Sequence, residues 1–201
     1  MVEKISRKEI TQRLSEILQR DRLSGAGKYW AKEVTLDYGT SHPVRVDYMQ
    51  YVPQGAVFTS DIENGYFICY EIKSCKADVY SGNGLNFIAE KNYIVTTMDC
   101  YKELMPDMQN GKLVEHIITM NNGKLPNWDF LIAIPEYELS DENCKSGFRH
   151  SRMIDEFDNP TPISEDGKWK LVAASVGNIR SGFRIRSKVE MLFCMLRAGK
   201  G

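Results

Sequence analysis

The feature that most constrains this chain is a pair of strand-like stretches that carry charge within otherwise apolar sequence. They are VRVDYMQY at 44–51 and YFICYEIK at 66–73. Alternation along the second stretch places Glu71 and Lys73 on the same face of a strand. Charged side chains in such an apolar stretch are costly to bury unless they are paired or bind a ligand. The sequence therefore predicts a polar site built on strands.

The first stretch offers a partner for this charge. Its alternation puts Asp47 on one face with Arg45 and Met49, so Asp47 can meet Glu71 if the two strands pair. Two carboxylates beside an ammonium group supply hard oxygen ligands for a divalent cation, and a positive charge for a phosphate or an attacking water. This combination indicates metal-assisted hydrolysis.

Length and charge limit the classes of protein that fit. A chain of 201 residues predicts a single domain, 1–201. The net charge of −1 hides an uneven distribution: residues 1–32 sum to +4, residues 136–166 to −6 and residues 178–201 to +5. Two basic ends suit contact with a polyanion.

The five cysteines include no CxxC pair, and their odd number argues against a disulfide framework. Neither they nor the three histidines have the spacing of a structural zinc site. The start of the chain lacks the apolar segment of a signal peptide, and no stretch has membrane-spanning length. We therefore expect a cytoplasmic protein without a membrane partner.

Periodicity predicts an α/β fold with a mixed central sheet flanked by helices. Ser6 and Glu9 form a capping box for a first helix, and an apolar stripe of Val189, Leu192, Phe193 and Leu196 marks the last one. Asp99 is expected to cap a middle helix that Pro106 limits. The predicted helices are 6–23, a short or irregular one within 76–91, one after 99, and 187–198. The predicted strands are 29–38, 44–51, 66–73, 92–97, 129–134 and, more weakly, 114–120. The acidic stretch 136–168 is predicted to be a loop-rich insertion before the last helix.

The two charged strands also carry a resemblance to a known family. Asp47, 23 intervening residues and then Glu71-Ile72-Lys73 form the pattern D…ExK, followed by Ser74 and Asp78. This resembles the PD-(D/E)xK nuclease superfamily, which has the restriction-endonuclease-like fold. It is most similar to compact members from phage and mobile elements and to MmcB-like DNA-repair proteins. The resemblance covers roughly residues 5–135, and Val46 stands where the superfamily's name places a proline.

The resemblance implies Mg²⁺-dependent hydrolysis of DNA phosphodiesters, with Mn²⁺ as a possible substitute and a role in repair, recombination or mobile elements. Asp47 and Glu71 would bind the metal, with the carbonyl of Ile72 as a further ligand. Lys73 would position or deprotonate the attacking water. Glu33, on the preceding strand, matches a Glu of similar proteins and would assist the metal through water, although an exposed strand position fits it equally well.

DNA is the implied partner, and a homodimer is left open. Lys76, Arg184, Arg186 and Lys188 are candidate contacts to the DNA backbone. Ordinary solvated charge near the end of the chain explains the last three about as well.

Two alternatives remain open from the sequence. Glu71 and Lys73 could form a simple ion pair on an exposed edge strand, and Asp47 could be a polar residue at a strand end. The chain could also be a non-catalytic DNA-binding or assembly module that retains the nuclease fold.

Overall fold

The structure, a computed structural model, describes residues 5–55, 58–139, 159–165, 167–174 and 182–199. Its centre is a six-stranded mixed sheet in which the strands lie side by side in chain order. Strands β3, β4 and β5 are parallel to one another, and every other neighbouring pair is antiparallel. The strands are β1 (Tyr29–Leu36), β2 (Val44–Val52), β3 (Tyr66–Lys73), β4 (Lys91–Thr97), β5 (Trp128–Pro135) and β6 (Trp169–Ala173). The prediction of a mixed sheet flanked by helices is confirmed.

Six α-helices accompany the sheet in the described part of the chain. They are α1 (Arg7–Leu18), α2 (Thr59–Glu63), α3 (Lys76–Val79), α4 (Met98–Gln109), α5 (Lys112–Met120) and α6 (Lys188–Ala198). A π-helical turn, Gln19–Leu23, extends α1, and a 3₁₀ turn, Glu136–Glu138, follows β5. Within the described ranges, no helix combines the length and apolar character that crossing a membrane requires.

Helix α1 begins where its capping residues predict. The Ser6 hydroxyl accepts a hydrogen bond from the Glu9 amide (3.3 Å), and the Glu9 carboxylate accepts one from the Ser6 amide (2.7 Å). Two amides that lack helical partners are thereby satisfied. Leu14 and Leu18 then face the sheet and are fully buried.

The two faces of the sheet carry separate cores. On one face, α1 packs over a cluster that includes Tyr70 and Ile72 of β3. Phe67 and Cys69 of the same strand belong to a cluster on the other face. The alternation predicted for β3 is therefore confirmed, and it directs Glu71 to the same face as Phe67 and Cys69.

This second face is covered by two groups of helices. Helix α6 packs over β1–β3 in one cluster, and α3, α4 and α5 pack over β4–β6 in another. The carboxyl end of β3 lies where these two clusters adjoin, next to the carboxyl ends of the parallel strands β4 and β5. Open α/β sheets commonly bind ligands at this edge.

Three predictions about the middle of the chain are wrong. The stretch 114–120 is part of helix α5 rather than a strand, because Leu113 and Ile117 are buried at a helical spacing of four residues. Pro106 lies inside α4 rather than limiting it. Thr97, not Asp99, caps that helix: its side chain accepts a hydrogen bond from the Cys100 amide.

The last helix exists where predicted, but the face assigned to its core is wrong. Met191, Cys194 and Met195 are buried, whereas most of the predicted stripe is exposed, with Val189 and Phe193 open to solvent. Helix α6 is apolar on both sides, so periodicity alone could not identify its inner face.

The acidic stretch 136–168 lies partly outside the described residues, which omit 140–158. Strand β6 follows it directly and was not predicted. Trp169–Ala173 pairs antiparallel with β5 and completes the sheet at that edge. Its five residues offered too short a pattern to identify.

Candidate active site

The two predicted carboxylates lie on neighbouring strands at the same level of the sheet. Strands β2 and β3 are antiparallel, and their last paired residues are Tyr48 and Tyr70. One further step in this register sets Asp47 opposite Glu71. The backbone ladder stops there, and the Asp47 carboxylate instead accepts a hydrogen bond from the Ile72 amide (2.8 Å). The predicted meeting of Asp47 with Glu71 therefore follows from the observed pairing.

Glu71 is almost completely enclosed, with 1% of its surface exposed. Its Oε1 atom is buried without a hydrogen-bond partner among the described residues. The backbone amides of Leu85 and Asn86 donate hydrogen bonds to this carboxylate. A buried carboxylate oxygen without a partner carries a desolvation cost that a bound ligand could remove.

Burial raises the pKa of both carboxyl groups. The pKa of Glu71 lies well above its ordinary value, mainly through desolvation and then through repulsion from Asp47. Lys73 and the two amides act in the opposite direction. The pKa of Asp47 is raised by burial, against the Ile72 hydrogen bond and the charge of Lys73. Two desolvated carboxyl groups that oppose each other's ionisation form a site that favours a cation.

Lys73 is buried at the end of β3, with 4% of its surface exposed. Its Nζ donates a hydrogen bond to the Asn83 carbonyl (2.7 Å) and lies 3.9 Å from Oδ1 of Asp78. Asp78 also accepts a hydrogen bond from the Ser74 amide through Oδ2 (3.1 Å). These contacts hold the ammonium group beside the carboxylates. Because Glu71 and Lys73 are both buried in a central strand, they are not an exposed edge-strand ion pair.

The turn after α3 closes over these side chains. Gly84 has a positive φ of 76°, and a Cβ at that position would lie 2.6 Å from Oε2 of Glu71 and 2.8 Å from Nζ of Lys73. Only a residue without a side chain permits so close an approach. The turn thereby covers the acid–lysine pair with backbone atoms.

Ile72 and Glu33 lie on either side of Asp47. In a β-strand the N–H and C=O of one residue point the same way, so the Ile72 carbonyl is directed toward β2, as its amide is. Glu33 occupies the β1 position between the Lys32–Tyr48 and Val34–Val46 pairs, which is opposite Asp47. It is exposed and has a φ of +53°, an unusual conformation for a residue with a side chain.

The side chains of the predicted DNA-contacting residues are held by other parts of the chain. The Lys76 ammonium pairs with Asp107 (2.8 Å). The structure does not bring these cations into the acidic cluster: Arg184 pairs with Glu90, Arg186 pairs with Asp37, and Lys188 lies 5.8 Å from the centre of the Tyr51 ring.

The donor set fits a hard, oxygen-coordinated cation. Among the residues that the structure describes, no group of three or more His, Cys, Asp and Glu side chains could hold a metal ion. A cation would therefore depend on Asp47, Glu71, the Ile72 carbonyl and water. Mg²⁺ keeps several waters and commonly takes one or two carboxylates, so this set is sufficient for it. The unpartnered Oε1 of Glu71 provides an open ligand position.

Sequence reasoning overlooked how the neighbouring turn contributes. The D…ExK pattern gives no role to the stretch Ser81-Gly82-Asn83-Gly84 or to Asp78. In the structure, Asn83 and Asp78 hold Lys73, and Gly84 lies against Glu71. The sequence signal for this close approach is the pair Gly82 and Gly84, which flank Asn83 shortly after the ExK segment.

Comparisons with known proteins add no family to this geometry. No protein-family model, curated protein or solved structure matches the chain.

Proposed function

We propose that this protein is a divalent-cation-dependent nuclease that hydrolyses DNA phosphodiester bonds, using Mg²⁺ or Mn²⁺. The proposal rests chiefly on one observation: Asp47, Glu71 and Lys73 converge at the carboxyl end of β3 with the Glu71 Oε1 atom unpartnered. The order of the first strands supports it, because an antiparallel β1–β2–β3 followed by a parallel β4 puts this end beside the α3 turn. The nuclease resemblance of the D…ExK pattern points in the same direction.

Each residue has a role that its surroundings suit. Asp47 and Glu71 would hold the cation, together with the Ile72 carbonyl. The bound ion would polarise the scissile phosphate and offset its developing charge. Lys73, whose ammonium group is buried at the same end of β3, would orient the attacking water and stabilise negative charge in the transition state. Asp78 and Asn83 would keep its Nζ in position.

Cleavage assays test the proposal directly. Supercoiled, linear, nicked, branched and single-stranded DNA would be incubated with Mg²⁺, Mn²⁺ or EDTA. We expect cation-dependent products from the wild type, and a rate reduced at least 100-fold in Asp47→Asn, Glu71→Gln and Lys73→Gln, as general acid–base and electrostatic contributions imply. Glu115→Gln is the matched control, because this carboxylate is exposed on α5.

Metal binding is measured separately by calorimetry with Mn²⁺. Glu71→Gln should weaken binding, whereas Lys73→Gln should retain it. If the wild type leaves every DNA substrate intact with both metals, the proposed nuclease activity is refuted. Salt-dependent DNA binding in that case would favour the non-cleaving module.

A further inference from the structure

We propose that the outward face of α6 is a contact surface for a second copy of this chain, forming a two-fold symmetric dimer. Helix α6 buries Met191, Cys194 and Met195 against β1–β3, yet Val189 and Phe193 project on the opposite side. Apolar residues on two opposite sides of a helix indicate that both sides are normally covered. The inference concerns assembly and does not depend on the nuclease activity.

The exposed apolar surface continues from α6 onto the start of β1. Leu192 and Leu196 line a groove with Tyr29, and its cavity volume is about 750 Å³. Leu196 also shares the outward side of the helix with Val189 and Phe193, since these residues are spaced by three and four positions. The surface is therefore one continuous patch.

Its area suits a modest specific interface. The exposed fractions of Tyr29, Val189, Phe193 and Leu196 range from 56% to 77%. This corresponds to an apolar patch on the order of 500 Å² on one copy, at the upper end of what monomers expose. Pairing two such patches would remove about 1,000 Å², near the lower limit for a specific protein–protein contact. We expect a dimer that forms at micromolar concentration.

Two α6 helices can pair in antiparallel orientation with their apolar residues facing each other. An antiparallel pair of α6 helices with its two-fold axis midway between Leu192 and Phe193 sets Val189 opposite Leu196 of the second copy. Glu190 and Arg197 are seven residues apart and share one flank, so reversal sets each acid beside the other copy's base. Within its own chain, Arg197 also donates to the Thr35 carbonyl, and the Glu190 carboxylate lies 3.6 Å from the Arg186 guanidinium. These charges would thus favour the direction of pairing more than its strength.

Analytical ultracentrifugation of the full chain between about 1 and 200 μM tests the surface. The wild type should shift from monomer to dimer within that range, and Phe193→Glu and Leu196→Glu should each raise the dissociation constant at least tenfold. Tyr137→Glu is the matched control, because this exposed aromatic lies after β5 at the other side of the sheet. It should dimerise like the wild type.

Two results would overturn the dimer. One is a wild type that stays monomeric at 200 μM, which would leave the patch for a different protein. The other is a pair of α6 variants that dimerise as well as the wild type. Circular dichroism and thermal unfolding of each variant establish that it is folded, and an added salt series separates apolar association, which salt does not weaken, from charge-driven association.

Discussion

Replacing Gly84 by alanine should damage the acid–lysine cluster, whereas the same change at Gly82 should not. Both glycines lie in one turn with nearly equal positive φ, 76° and 77°. A Cβ at Gly82 meets nothing within 4 Å, but one at Gly84 meets Glu71 Oε2 at 2.6 Å and Lys73 Nζ at 2.8 Å. The pair of variants therefore separates backbone strain from collision with the site.

The magnitudes follow from these two terms. A left-handed conformation costs an L-residue roughly 1–2 kcal/mol, which both variants incur. The collision adds about 1–3 kcal/mol at Gly84 alone, because the buried Glu71 must leave its amide donors to make room. For a chain of this size, each kcal/mol lowers Tm by about 2–4 °C. We expect Gly84→Ala to unfold several degrees below Gly82→Ala in EDTA.

Urea unfolding and calorimetric titration with Mn²⁺ measure the two consequences together. Gly82→Ala should bind Mn²⁺ like the wild type, and Gly84→Ala should bind it at least tenfold more weakly. Equal stability of the two variants, or unchanged Mn²⁺ binding in Gly84→Ala, would contradict the close packing of the turn against Glu71.

Three further changes probe the surroundings of the site. Glu71→Gln should stabilise the metal-free protein at pH 7 by roughly 1–3 kcal/mol, because folding then no longer has to bury an ionised carboxylate or take up a proton there. The folded protein holds the Glu71 proton more tightly than the unfolded chain does, so the contribution of Glu71 to stability is most favourable below pH 4.5 and is lost as pH rises toward the raised pKa. Urea titrations from pH 4 to 8 should show that this slope is smaller in the variant. Tyr48→Phe should cost about 1–2 kcal/mol in the same assay, since its hydroxyl bonds Ser15 (2.5 Å) and Gln19 (2.8 Å) of the α1 segment. Asn121→Ala should lower the free energy of unfolding by about 2–4 kcal/mol and weaken Mn²⁺ binding. The reason is that the buried Asn121 side chain holds the segment 85–87, in which the Leu85 and Asn86 amides donate to Glu71. Unchanged Mn²⁺ binding would show that this support is dispensable.

The sequence was most informative where apolar residues followed a single period, that of a strand or that of a helix. Strands β2 and β3 were predicted nearly to the residue, and β-branched and aromatic residues alternate through β3. The alternation predicted for β2 is wrong at Asp47, because Val46 and Met49 lie in the same cluster. Asp47 and Glu71 face each other through the register of the two strands. The site's side chains were predictable because strand geometry fixes which residues share a level.

Elements with ambiguous periods could not be predicted in the same way. The apolar stretch in α5 suits a strand until Leu113 and Ile117 are known to share a buried face. Helix α6 has two apolar faces, and only packing against β1–β3 selects Met191 and Met195 for the inside. Tertiary contacts decided both cases.

The turn that covers the site illustrates a different limit. Its contribution comes from backbone atoms: the Asn83 carbonyl and the amides of Leu85 and Asn86, none of which depends on residue type. Only Gly84 leaves a trace in the sequence, because a side chain would occupy the space of the Glu71 carboxylate. The acidic and basic side chains of such a site can thus be located from the sequence pattern. The backbone segment that positions them can be predicted only from the glycine that allows this segment to approach the side chains.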